Sequence, residues 1–172
     1  AVSAFAPFFD GEVGVGPLDT DAEAGTSQAA EPEDLPLGCK HHVFISYNQV
    51  NGADLAQALK SKLERRGLKV WHDQSVQGTV DETAVRCGVD EAKVFVLLLT
   101  KDVLARPTVR TELAHALARG KPIQLIHEPR TNQASFSPFG DYVNSAPPDA
   151  RNLFVENESM PYQRRTYRAE PF

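Results

Sequence analysis

The chain has 172 residues, 41% hydrophobic and 24% charged, enough to bury one sizeable core in a single ordinary domain. Its net charge of −5 is uneven: residues 1–38 hold eight acids and no base, leaving 15 acids against 18 bases, or +3, for residues 39–172. That balance excludes a strongly basic nucleic-acid surface, and no apolar run reaches the roughly 20 residues of a membrane-spanning helix. No Lys or Arg precedes Lys40 to supply the basic region of a secretory signal. A cytoplasmic protein that engages neither nucleic acid nor membrane is expected. Cys39 and Cys87 form no CxxC pair or metal-ligand framework and are expected as free thiols.

Residues 1–38 mix Ala, Gly, Pro, Ser, Thr and acids without sustained periodicity and read as a disordered acidic linker. Gly11, Gly14 and Gly16 follow no strand and precede Pro17, so they are no phosphate loop. From His42 onward short apolar runs alternate with amphipathic segments, the pattern of βα units around a parallel sheet. Val43–Tyr47 is the first strand. Asn51 then offers a helix cap with Asp54 three residues on, and Leu55, Leu59 and Leu63 recur every four residues until Gly67 closes the helix. Leu68–Trp71 is a second strand, Asp73–Thr79 a polar loop containing Gly78, and a two-turn helix begins near Val80.

Val94–Thr100 is nearly all apolar and belongs in the middle of the sheet. Pro107 suits the first turn of a helix, and Val109, Leu113, Ala116 and Leu117 make its buried stripe up to Gly120. Ile123–Ile126 is the fourth strand. Residues 132–148 read as loop, Ser159–Gln163 as a fifth, edge strand, and Arg164–Phe172 as the start of a further helix.

Phe44-Ile45-Ser46-Tyr47, the helix closing on Gly67, Val70-Trp71-His72-Asp73, the Gly-containing loop, Phe95–Thr100, Val109-Arg110-Thr111-Glu112-Leu113 and Lys121-Pro122-Ile123 together resemble a Toll/interleukin-1 receptor (TIR) domain. The likeness is best over residues 42–128 and assigns 39–172 to the domain; Arg164-Arg165 and Tyr167 resemble the tail of TIR domains from unicellular eukaryotes. It implies a flavodoxin-like, three-layer α/β fold, with a parallel sheet of four to five strands in the order 2-1-3-4-5 and helices on both faces. TIR relatives either assemble as signalling scaffolds or hydrolyse NAD at the bond between nicotinamide and ribose. The resemblance therefore implies Glu112 as the catalytic carboxylate and Tyr47, Asn48, Trp71, Asp73 and Thr108 as residues around NAD, with no metal. NAD would be substrate and not cofactor, hydrolysed to nicotinamide and an ADP-ribose product in intracellular signalling, with self-association between TIR copies. A non-enzymatic scaffold acting by homotypic self-association is the alternative.

The residues themselves bear on that assignment. With Val109 at zero on a wheel of about 100° per residue, Leu113 falls near 40°, Ala116 near 340° and Glu112 near 300°. Glu112 is thus expected at the rim of the buried stripe, facing a cleft while still reaching solvent, or paired with Arg110, Arg119 or Lys121 on a solvated edge. Asn48 stands where many NAD-cleaving relatives carry Arg, and Thr108 where some carry Trp. Alternation along the second strand packs Trp71 inward and turns His72 to solvent. Cys87 is expected as a small buried residue, while Cys39, His41 and His42 cluster without a convincing metal spacing. A phospho-receiver domain is excluded because Ser46-Tyr47-Asn48 lacks the acids that chemistry requires, and no GxxxxGK run marks a nucleotide loop.

Overall fold

Val94–Leu99 is buried along its whole length, as a strand must be when helices cover both sides of a parallel sheet. A computed structural model describes residues 35–72, 82–129, 133–157 and 159–162. Most of the expected acidic linker, the loop Asp73–Thr79 and the expected helix from Arg164 lie outside the described residues. Strands β1 (His41–Ser46), β2 (Val70–Trp71), β3 (Ala92–Leu99), β4 (Ile123–His127) and β5 (Met160–Pro161) form one parallel sheet in the order 2-1-3-4-5. β1 and β3 pair from His41 opposite Ala92 to Ser46 opposite Leu97. Pro161 has no N–H to donate and is tolerated because β5 is the edge.

The helices are α1 (Ala53–Glu64), α2 (Glu82–Asp90), α3 (Pro107–Ala118), α4 (Phe139–Ser145) and α5 (Arg151–Glu156). One core cluster joins Phe44 of β1 and Phe95, Leu97 and Leu99 of β3 to Val85 and Val89 of α2, Val109, Leu113 and Ala116 of α3, Tyr142 of α4 and Phe154 of α5. The alternate strand residues Val43, Ile45, Val96 and Leu98 are equally buried, as are Leu55, Ala56, Leu59 and Leu63 of α1. Right-handed crossovers put α1 over that second face. The period of two along β1 therefore directs Phe44 and Ser46 toward α2 and α3.

Several local expectations change. Asn51 does not cap α1: the helix starts at Gly52 without a side-chain cap, and Asn51 Nδ2 donates to the Lys101 carbonyl at 2.8 Å. A Cβ on Gly52 would lie 2.9 Å from the Asn48 carbonyl oxygen, so close backbone approach decides that residue. The stretch read as loop holds α4, and α5 follows it. Each short helix buries a single residue, Tyr142 or Phe154, which leaves no apolar period to read. Cys87 is exposed because it lies about 200° around α2 from buried Val85. Among the described residues Cys39 and Cys87 are free thiols, and no helix is long and apolar enough to cross a membrane.

Far from the carboxyl ends of the strands, Asp90 ties α2 to the last turn of α3. It accepts from His115 Nε2 at 3.0 Å and pairs with Arg119 Nε at 2.9 Å, while Lys121 Nζ donates to the carbonyls of Asp90 and Ala92 at 2.7 Å. Burial pushes the Asp90 carboxyl upward, but hydrogen bonds from His115 and Arg119 outweigh it and hold the group below its ordinary value.

The indole of Trp71 stacks on Phe44, with centroids 4.3 Å apart and planes 9° apart, and α2 closes over it at Gly88. A Cβ there would meet the indole at 2.8 Å and the Phe44 ring at 3.1 Å. Gly88→Ala gains about 1 kcal/mol of helix propensity but overpacks two stacked rings at roughly 1–3 kcal/mol. Denaturant unfolding should show net destabilisation, and a stabilised variant would contradict this packing.

Candidate active site

The strand order reverses between β1 and β3. β1 leads outward through α1 to β2, β3 leads the opposite way through α3 to β4, and the diverging connections open a crevice beyond the strand ends. Among the described residues this crevice is a cavity of about 260 Å³, walled on one side by Ile45 and residues 47–50 and on the other by residues 106–109 and Glu112.

Glu112 stands on α3 one turn beyond Val109. It is only 6% exposed, deeper than a rim position, because the end of β1 covers this edge of the helix. Ser46, the last residue of β1 and on the same face as Phe44, donates its hydroxyl to Glu112 Oε2 at 2.5 Å. The bases offered as surface partners are engaged elsewhere: Arg119 and Lys121 at Asp90, and Arg110 through Nε on the Leu104 carbonyl. A buried carboxylate needs hydrogen bonds to remain where it is, and the serine supplies one.

Tyr47, Asn48, Thr108 and Glu112 come together in the crevice, as the resemblance implies. Asn48, 1% exposed, accepts from the Val50 N–H at 3.1 Å and donates to the Lys101 carbonyl at 3.0 Å. Its amide thus fastens the loop after β1 to the loop after β3. Trp71 is partly buried against the core and is not among the described residues lining the cleft, and Asp73 lies outside the described residues. His72 does not face solvent but stacks on Tyr47, with centroids 5.0 Å apart. Burial, with Lys60 beside it, pushes the His72 imidazole below its ordinary value.

Ser46 and Arg106 are residues of the crevice region that the sequence does not single out by name. The signal for Ser46 was a lone hydroxyl at an inward position of an apolar strand; for Arg106 it was a base directly before the helix-opening Pro107. No group of three His, Cys, Asp or Glu residues able to hold a metal exists among the described residues. His42 Nδ1 instead accepts from the Lys69 N–H at 2.9 Å, bracing β1 against the approach to β2.

The sequence profile of the TIR domain matches residues 43–144, from β1 to the last turn of α4, and so takes in both walls of the crevice. The chain belongs to the TIR domain family. This TIR domain is 38% identical over 65 residues to the NAD(+) hydrolase sarm1 of Drosophila melanogaster, covering 37% of this chain and 5% of that protein. It is 28% identical over 97 residues to the NAD(+) hydrolase ApTIR of Actinoplanes sp., covering 51% of this chain and 14% of that protein. The chain therefore spans a small part of the curated relatives it matches. Among solved structures, a metazoan TIR-STING receptor from C. gigas superposes with a TM-score of 0.54 at 18% identity, over 70% of this chain and 38% of that one. The TIR domains of the activated Roq1 resistosome superpose with a TM-score of 0.51 at 12% identity, over 68% of this chain and 70% of that one. Both share the flavodoxin-like α/β fold of this TIR domain.

Asn48 acts here as a latch. Asn48→Ala should cost about 1–3 kcal/mol of unfolding free energy through lost buried hydrogen bonds, read as a lowered denaturation midpoint. An unchanged midpoint would show that the two loops hold together without it.

Proposed function

We propose that this TIR domain hydrolyses NAD to nicotinamide and ADP-ribose, with Glu112 as the catalytic residue. The observation that carries the reading is a buried carboxylate, fixed by a serine hydroxyl, lining the crevice where the strand order reverses. Membership of the TIR family and likeness to two proteins named NAD(+) hydrolases support it.

The chemistry suits a single carboxylate. The bond between ribose C1′ and the pyridinium nitrogen breaks with its electron pair going to nitrogen, so nicotinamide leaves neutral and needs no acid. Positive charge develops on the ribose, and Glu112 beside it stabilises that charge or grips the sugar hydroxyls. Water then bonds to C1′ and gives up a proton, balancing the reaction as ADP-ribose, nicotinamide and H⁺.

Ser46 is a positioning residue in this scheme: it touches Glu112 and not the reacting atoms. Tyr47 and Thr108 complete the walls around the sugar. Self-association through contacts between copies of the domain belongs to the same reading, which rests there on family membership. Its place is the cytoplasm, where the free thiols of Cys39 and Cys87 stay reduced.

Glu112→Gln keeps the shape and an acceptor for Ser46 but removes the charge. Nicotinamide release from NAD should fall by at least about 100-fold, with the unfolding midpoint nearly unmoved. Glu112→Ala is the weaker test, because it also strands the Ser46 hydroxyl. Retained release in the Gln variant would overturn the assignment.

A further inference from the structure

The described lining of the crevice contains one acid, Glu112, and one cation, Arg106. Arg106 immediately precedes α3 with φ −80° and ψ 122°, the extended backbone that a following proline enforces. Its side chain is exposed. The guanidinium has no hydrogen-bond or ion-pair partner among the described residues, whereas Arg110 and Arg119 are committed to Leu104 and Asp90. An arginine without a partner on a concave wall is available to an anion, and its planar fork matches phosphate oxygens two at a time.

The opposite wall offers no such charge. Asn48 follows Tyr47 there, and its amide is spent on Val50 and Lys101. Arg106 stands six positions before Glu112, about 9 Å along the helix axis, a distance that one ribose and its 5′-phosphate can span. The described cavity, about 260 Å³, is smaller than the roughly 300–1,000 Å³ of most ligand pockets. A dinucleotide therefore extends past its mouth, where Arg106 stands.

We propose that Arg106 forms a pyrophosphate subsite, holding the diphosphate of a nicotinamide dinucleotide while Glu112 faces the nicotinamide ribose. The inference rests on the hydrolase reading for its orientation, but the subsite itself is a matter of binding. It predicts that affinity resides in the ADP-ribose portion of the ligand and depends on the guanidinium.

Titration calorimetry of the whole 172-residue chain with two probes, ADP-ribose and nicotinamide riboside, tests this. Arg106→Gln should weaken ADP-ribose binding about tenfold, the scale of one lost charge-assisted bidentate contact. Arg106→Lys should weaken it less, and nicotinamide riboside, which has no phosphate, should bind both variants as it binds the parent chain. The unfolding midpoint of Arg106→Gln should match the parent, since the side chain supports nothing in the fold. A parent chain that does not bind ADP-ribose, an Arg106→Gln variant that binds it as tightly, or an equal loss for both probes would each overturn the subsite. ADP-ribose binding through Arg106 by a chain that leaves NAD uncleaved would retire the hydrolase reading and uphold the subsite.

Discussion

The hydrogen bond from Ser46 to Glu112 joins the end of the first strand to the second turn of the helix that follows the central strand. A carboxylate so deeply covered loses much of its hydration, and a charge in that position persists only where donors replace the lost water. The serine does so from a rigid strand, and its placement follows from the period of two that also sends Phe44 into the core. The same contact sets where the carboxylate stands relative to the crevice. Stability and the geometry of the site thus meet in one contact.

Other features hold the two partners of that bond in register. β1 is fixed by five residues paired with β3, from His41 to Ser46. α3 is started by Pro107, packed through Val109, Leu113 and Ala116, and held at its far end by the Asp90 network. Asn48 and Asn51 both donate to the Lys101 carbonyl, drawing together the two loops that frame the crevice. Gly52 lets the backbone of α1 approach the Asn48 carbonyl, which completes this junction. Polar commitments therefore gather where the strand order reverses, whereas the core beneath it is almost wholly apolar.

Much of this arrangement is legible in the sequence where burial writes a period. Val94–Leu99, the Leu55–Leu59–Leu63 series and the Val109–Leu113–Ala116 stripe each mark one element, while the sheet order follows from the resemblance to TIR domains. Illegible parts depend on tertiary neighbours. The wheel placed Glu112 at a boundary, because no helical pattern reveals that the end of β1 closes over that edge. Asn51 has the chemistry of a cap, yet the helix opens one residue later, at Gly52, and the Asn51 side-chain N–H donates to the Lys101 carbonyl instead. Trp71 packs as alternation along the second strand predicts, stacked on Phe44. The helices α4 and α5 were missed because a single buried residue in each leaves no repeat.

If Ser46 acts on NAD hydrolysis only through Glu112, the two residues are coupled, and a double-mutant cycle measures the claim directly. Nicotinamide release from NAD would be followed for the parent chain, Ser46→Ala, Glu112→Gln and the double variant. Ser46→Ala alone should slow release, and in the Glu112→Gln background it should change almost nothing, a coupling of the kind expected of residues in contact. Additive losses would contradict the claim and show that Ser46 and Glu112 act independently.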